Sequence, residues 1–311
     1  MRFSEIYRHW REEKKSQVKP TTMAAYTYLA ERHLLPEFGR NYKISSSDVQ
    51  QFVNNLHERG LSRRSISGII SVMRLIMEFG MEKDWFEIPK YSPKLPPHTK
   101  SQTLDVFDMG NEALFINHLI TQQSILDIAL LTTITSGLRL GEVCGLQVRD
   151  VQPSMHICHI NRTVSLTYDN EEHRTCMIVN LPKTLNSIRT IPIHPIVEKL
   201  ILELPHFIPD KADHYLFTNT TTPLHPNALR KHYRNTIRQL NLPALRFHAL
   251  RHTFATRCIE SGCDIKTLSS ILGHSSVQTT LNLYVHPSME QKHKSIINMM
   301  RYVMDTTQDS I

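Results

Sequence analysis

Six side chains in this sequence could act together on a phosphorus centre: Arg139, Lys183, His248, Arg251, His274 and Tyr284. In Ser136-Gly-Leu-Arg139-Leu-Gly-Glu142 a guanidinium lies between two glycines, which let the backbone approach a ligand closely. The planar fork of Arg139 suits a phosphate, and Glu142, three residues on, is placed to orient it through a charge-assisted bond. In His248-Ala-Leu-Arg251-His252 the first histidine and the arginine are three apart, so on a helix they share a face and meet one ligand, while His252 is expected to point elsewhere. This pairs a titratable imidazole with a permanent cation. Asp264 reads as the cap of a helix with Ile265, Leu268, Ile271 and Leu272 on its buried side and Gly273 at its end. His274 then falls just past a helix terminus, and Tyr284 follows ten residues later. Taken singly, each residue has a plainer explanation: a surface arginine, a polar pair on a solvated face, a structural histidine, a core tyrosine.

Taken together they supply what phosphoryl transfer to a tyrosine needs. A phenol with a pKa of about 10 is protonated at neutral pH, so it needs a base or strong electrostatic help. Cationic forks stabilise the negative charge that gathers at a five-coordinate phosphorus. The leaving oxygen needs a proton. Two arginines, two histidines, a lysine and a tyrosine meet these demands without a metal or another cofactor. No HExxH, no paired CxxC and no carboxylate cluster suggests a metal site. The five cysteines, Cys144, Cys158, Cys176, Cys258 and Cys263, are odd in number and unpaired by spacing, which argues against a disulfide framework.

The elements that must position these groups fall into two parts, as 311 residues would suggest. Residues 1–87 read as a four-helix unit. Phe3, Ile6, Tyr7 and Trp10 fall at helical spacing over Phe3–Lys15. Pro20 opens a second helix ending near Phe38-Gly39, Ser47-Asp48 caps a third that stops at Gly60, and Ser62 caps a fourth with an apolar face from Ile66 to Met77. Residues 88–103 hold prolines and lysines without acid through Lys100, which predicts a semi-rigid, extended linker. From 104 to 311 helices mix with a few strands: a buried helix over Ser124–Ser136, a short one over Leu140–Val148, β-branched runs at His156–Leu166 and Thr175–Leu181, a turn at Lys183–Ser187 and a strand from Ile188. Residues 1–100 carry 17 Lys/Arg against 11 Asp/Glu, so six of the net +7 charges lie in the N-terminal part, as befits a polyanionic partner. The N-terminus lacks the apolar stretch of a signal peptide and no run approaches a membrane span, so a cytoplasmic protein without a membrane partner is expected.

The motifs SGLRLGEVCGL at 136–146, LPKTLNSIRTIPI at 181–193, FHALRHTFAT at 247–256 and ILGHSSVQTTLNLYVH at 271–286 resemble, in order and spacing, the signatures of the tyrosine recombinase (phage integrase) family. The resemblance implies a mainly α fold with a small antiparallel β-sheet: a helical core-binding domain joined to a catalytic domain, together clamping duplex DNA. It implies that Arg139, Lys183, His248, Arg251 and His274 surround the scissile phosphate and that Tyr284 is the nucleophile. Lys183 would protonate the leaving 5′ oxygen, His248 would help accept the tyrosine proton, and the two arginines and His274 would bind non-bridging oxygens. Arg63, Arg64, Lys90, Lys94 and Lys100 are candidates for DNA backbone contacts. Ala249 stands where many relatives carry aspartate. The tail from Ser288 places Ile296, Ile297, Met299, Met300, Val303 and Met304 on one helix side, the pattern of an exchange helix that docks on a neighbouring protomer. The expected partner is double-stranded DNA with core-type sites, bound by a protein that is a monomer in solution and a tetramer on synapsed DNA. Integration and excision of a mobile element is the leading role, with DNA inversion, chromosome-dimer resolution, a type IB topoisomerase or a non-catalytic regulator as alternatives.

Overall fold

The computed structural model describes residues 1–85, 92–97, 105–169, 174–180, 188–204, 207, 211–284, 293, 296–301 and 304. Lys90, Lys100 and Lys183 lie outside them. By its internal contacts the chain divides into two compact units, Met1–Thr103 with Leu166–Met177, and Leu104–Ser165 with Ile178–Ile311.

In the first unit, α1 (Phe3–Lys15) buries Phe3, Ile6, Tyr7 and Trp10, the stripe that its spacing demands. Burying each such side chain contributes about 1.5–3 kcal/mol before entropy is counted. Next come α2 (Pro20–Leu29), a π-helical turn over Ala30–Leu34 and α3 (Leu35–Phe38), which together carry the second helix to Phe38. Helix α4 (Ser46–Glu58) starts two residues earlier than the sequence suggests, because Ser45 is its cap and Asp48 returns a bond to the Ser45 N–H at 2.8 Å. Ser62 caps α5 (Arg63–Glu82), whose Ile66, Ile69, Ile70, Met73, Ile76 and Met77 enter the same core as Phe38 and Phe52. Residues 92–97 do not extend freely. The Lys94 N–H donates to Gln50 Oε1 at 2.7 Å, and Arg63 donates to the carbonyls of Leu95 (3.2 Å) and Pro96. Proline-rich backbone has spare carbonyls, and donors come from α4, where Gln50 Nε2 reaches Lys94 O at 3.2 Å, and from Arg63 of α5.

In the second unit, α6 (Met109–Gln122) and α7 (Ile125–Ser136) lead to the short α8 (Leu140–Cys144). Helix α7 is buried on almost every side, packing against α6, α8, α9 (Pro195–Leu202), α10 (Pro226–Gln239) and α11 (Ala249–Glu260). A three-stranded antiparallel sheet has the order β1 (Val151–Gln152), β2 (Ile157–Ile160), β5 (Arg189–Pro192), with Cys158 opposite Ile191 and Ile160 opposite Arg189. Strands β3 (Thr163–Asp169) and β4 (Arg174–Asn180) form a separate pair, most of which, Leu166–Met177, is counted with the first unit. Helices α12 (Ile265–Leu272) and α13 (Val277–Tyr284) close the described core around Ala255, Leu268, Leu272 and Tyr284. Past Tyr284, the described tail residues Ile296, Ile297, Met299, Met300 and Met304 are exposed. Among the described residues no helix is long and apolar enough to cross a membrane, and no three His, Cys, Asp or Glu side chains could hold a metal.

Candidate active site

The C-terminus of α12 organises the site. An α-helix leaves its last carbonyls without intrahelical donors, and its dipole gives that end partial negative charge. Here three successive carbonyls each accept from a different arginine. Arg189 Nε reaches Ile271 O at 2.5 Å, Arg251 Nη2 reaches Leu272 O at 2.8 Å, and Arg139 Nη2 reaches Gly273 O at 3.2 Å. Three guanidiniums from β5, α11 and the start of α8 are thereby gathered around one helix end.

Gly137 makes the approach of Arg139 possible. It ends α7 in the left-handed region at φ 64°, and a Cβ there would stand 2.5 Å from Phe254 Cδ1 and 2.8 Å from Leu272 Cδ2. Two residues later Arg139 caps α8. Glu142, with 4% of its side chain exposed, accepts from the Arg139 N–H (2.9 Å) and from Arg139 Nη1 (2.7 Å). The same carboxylate takes Arg189 Nη1 at 3.1 Å and Nη2 at 3.0 Å. Burial alone would raise the Glu142 pKa. The bonds and charge of Arg189, then the charge of Arg139, outweigh it and hold the carboxyl below its usual range.

Arg251 is only 2% exposed, and its other donor goes to Gly137 O at 2.8 Å. Carbonyl dipoles hold its charge, with no carboxylate bonded to it among the described residues. Burial first, then the neighbouring Arg139, draws its pKa down to about 9, so it stays cationic at neutral pH. The charge so held is available to attract an anion.

Around this cation cluster stand the imidazoles and the phenol. His274 follows Gly273, bonds Thr280 Oγ1 through Nδ1 at 2.8 Å, and lies parallel to the Tyr284 ring with centroids 6.5 Å apart. Burial, then the charges of Arg251, Arg139 and Arg189, lower its pKa to about 4. His248 immediately precedes α11. Its edge is open to solvent, yet the flanking protein, then His252, Arg251 and Arg139, lower its pKa to about 4. Tyr284, 8% exposed, ends α13. Burial raises its pKa, while Arg251 and Arg139 oppose the rise.

The expectation that His252 points away from the site is corrected by the structure. Its Nδ1 lies 2.7 Å from Tyr284 Oη, and its ring meets that of His248 edge-on at 4.6 Å. Positions i and i+4 of a helix share a face as closely as i and i+3, and the sequence reading weighed only the second spacing. Arg189 also escaped notice. Strand alternation puts it on the face of the buried Ile191 and Ile193, and a charge on a buried face is the signal that marks it. Of the DNA-contact candidates, Arg64 and Lys94 are exposed, whereas Arg63 is engaged with the carbonyls of Leu95 and Pro96. Ala249 is buried at the head of α11.

Residues 111–291, more than half of the chain, match the phage integrase family, and residues 2–57 match the phage integrase N-terminal SAM-like domain. The chain belongs to the phage integrase family. As a tyrosine recombinase of that family, it is a site-specific enzyme that cleaves and rejoins DNA strands. A XerC-like tyrosine recombinase of Caldanaerobacter subterraneus subsp. tengcongensis is 25% identical over 274 residues, covering 81% of this chain and 70% of the relative. The ICEBs1 integrase of Bacillus subtilis is 25% identical over 289 residues, covering 86% and 74%. The solved Tn1549 transposon integrase, in complex with a circular intermediate DNA, shares the fold at a TM-score of 0.76 and 20% identity, over 96% of this chain and 99% of the other.

Proposed function

We propose that this recombinase cuts one strand of a duplex by attack of Tyr284 Oη on a phosphodiester, leaving a 3′-phosphotyrosyl link and a free 5′-hydroxyl. The observation that carries the reading is the gathering of the Arg139 and Arg251 guanidiniums at one helix end beside the Tyr284 phenol. The arginines and His274 bind non-bridging oxygens and stabilise the charge of the five-coordinate phosphorus. His248 meets the phosphate from the solvent side. Lys183, between β4 and β5 in the sequence, protonates the leaving 5′ oxygen. Glu142 holds Arg139 in place. The bond energy stays in the phosphotyrosine, so rejoining needs neither a nucleotide nor a metal.

The partner in this reading is double-stranded DNA, with Arg64 and the lysines at 90, 94 and 100 among its backbone contacts. The protein is a cytoplasmic monomer that becomes a tetramer on paired sites, and the exposed apolar tail residues dock on the neighbouring protomer. Its role is integration and excision of a mobile element, supported by the match to the ICEBs1 integrase. The equally identical XerC-like relative supports chromosome-dimer resolution as the second reading. Tyr284→Phe tests the chemistry. It should bind DNA normally and form no denaturation-resistant adduct on a nicked suicide substrate. An adduct in that variant would remove Tyr284 from the reaction.

A further inference from the structure

We propose that His252 takes the proton from Tyr284 during cleavage and returns it during rejoining. The inference rests on the reading of Tyr284 as nucleophile and adds a residue to that step. Its basis is geometric. The Tyr284 hydroxyl lies 2.7 Å from His252 Nδ1, and its other hydrogen-bonding neighbour is Arg251, a guanidinium that can only donate. The residue expected to serve the tyrosine, His248, lies one helical turn earlier and meets His252 edge-on, 4.6 Å between ring centroids. No hydrogen bond joins His248 to Tyr284 among the described residues.

The direction of the bond follows from the surroundings. Burial first, then the charge of Arg251, lowers the His252 pKa, while Asp105 works against them. The imidazole is therefore neutral at pH 7. Burial raises the Tyr284 pKa, so the phenol keeps its proton in the free enzyme. Tyr284 O–H donates, Nδ1 accepts, and the second ring nitrogen carries the hydrogen. The groups facing His252 are His248 from just before its helix, Arg251 from its own helix, Tyr284 from α13, and Asp105 from the segment before α6.

The step balances. The Tyr284 Oη–phosphorus bond forms as the phosphorus–O5′ bond breaks. The phenol proton passes to His252 Nδ1, and the 5′ oxygen receives a proton from its own acid, Lys183 in the proposed reading. In rejoining, the 5′-hydroxyl attacks and returns its proton to Lys183, while the imidazolium of His252 gives its proton back to the departing phenolate. A single residue is thus base for one direction and acid for the other, as reversibility requires.

The test is single-turnover cleavage of a nicked suicide substrate across pH by the wild type, His252→Asn and His252→Gln. An asparagine carbonyl keeps an acceptor near the Nδ1 position but cannot hold a proton. Both variants should bind DNA as the wild type does, which also checks folding. Adduct formation should slow by roughly 10²–10⁴-fold. The wild-type loss of rate on the acid side, which sets in below the ordinary imidazole value because the His252 pKa is lowered, should vanish in the variants. Introducing a fluorinated, more acidic tyrosine at 284 should narrow the gap, because a more acidic phenol needs a base less. Wild-type or faster cleavage by both variants, or an unchanged acid limb, would overturn the assignment. If those results came with no adduct in Tyr284→Phe, only the role of His252 would fall. An adduct in Tyr284→Phe would instead overturn the nucleophile on which it rests.

Discussion

Removing the Glu142 carboxylate should loosen the catalytic unit as a whole. Glu142 and Arg189 keep only 4% and 5% of their side chains exposed, and the same carboxylate also holds Arg139. In Glu142→Ala the Arg189 guanidinium stays buried after losing both bonds to this carboxylate. Breaking a buried pair by removing one partner costs about 3–5 kcal/mol. For a unit of about 150–250 residues each kcal/mol moves the melting midpoint by about 2–4 °C, so the fall should be about 6–20 °C. Glu142→Gln keeps the volume and loses the charge. Bonds to charged groups contribute about 1.5–3 kcal/mol, so its midpoint should fall by about 3–12 °C. The sign with pH is fixed by the depressed pKa. The stabilisation is complete above the unfolded carboxyl value and is lost as pH falls through the lower folded value. The gap between wild type and Glu142→Gln should therefore be full at neutral pH and close in acid. Scanning calorimetry of the DNA-free protein reads both effects. A Glu142→Ala transition within about 2 °C of the wild type would refute the view that this carboxylate anchors the arginine cluster.

Other expectations follow from the same geometry. Gly137→Ala should lower stability by about 2–5 kcal/mol, because it combines a left-handed backbone with a clash against Phe254 and Leu272, and thermal melting reads it. Cleavage should survive excess EDTA, and a loss that magnesium restores would point to metal chemistry. Lys183→Ala should cleave ordinary DNA slowly and regain much of its rate on a bridging 5′-phosphorothiolate, whose sulfur leaves unprotonated. Equal losses on both substrates would take Lys183 out of the acid role.

The sequence carried a good part of this, and its gaps have physical causes. Helix α1 was legible because its four buried residues follow a clean 3.6 period, and Ser62 and Asp264 mark helix starts with side chains that do accept the expected backbone donors. Gly273 reads as the end of a helix and does adopt a left-handed conformation. Helix α6 was missed because only Phe115 and Leu119 are buried while Leu114 stays exposed, too thin a stripe to announce a helix. Strand β1, two residues long, has no periodicity to read. Arg139, Glu142, His248, Arg251, His274 and Tyr284 stood out by motif. What no motif conveys is that α12 ends in three carbonyls shared among three arginines, since that depends on tertiary packing of α11, β5 and the α7–α8 turn. Arg189 joins the cluster for that reason, and His252 because α13 brings the Tyr284 hydroxyl to it.

The most direct measurement maps the covalent link. The wild-type protein is trapped on a nicked suicide substrate, digested with trypsin and nuclease, and read by tandem mass spectrometry. The peptide Thr267–Lys292 should carry the nucleotide mass, with fragmentation placing it on Tyr284. A nucleotide on any other residue, or cleavage products with no protein attached, would contradict the account.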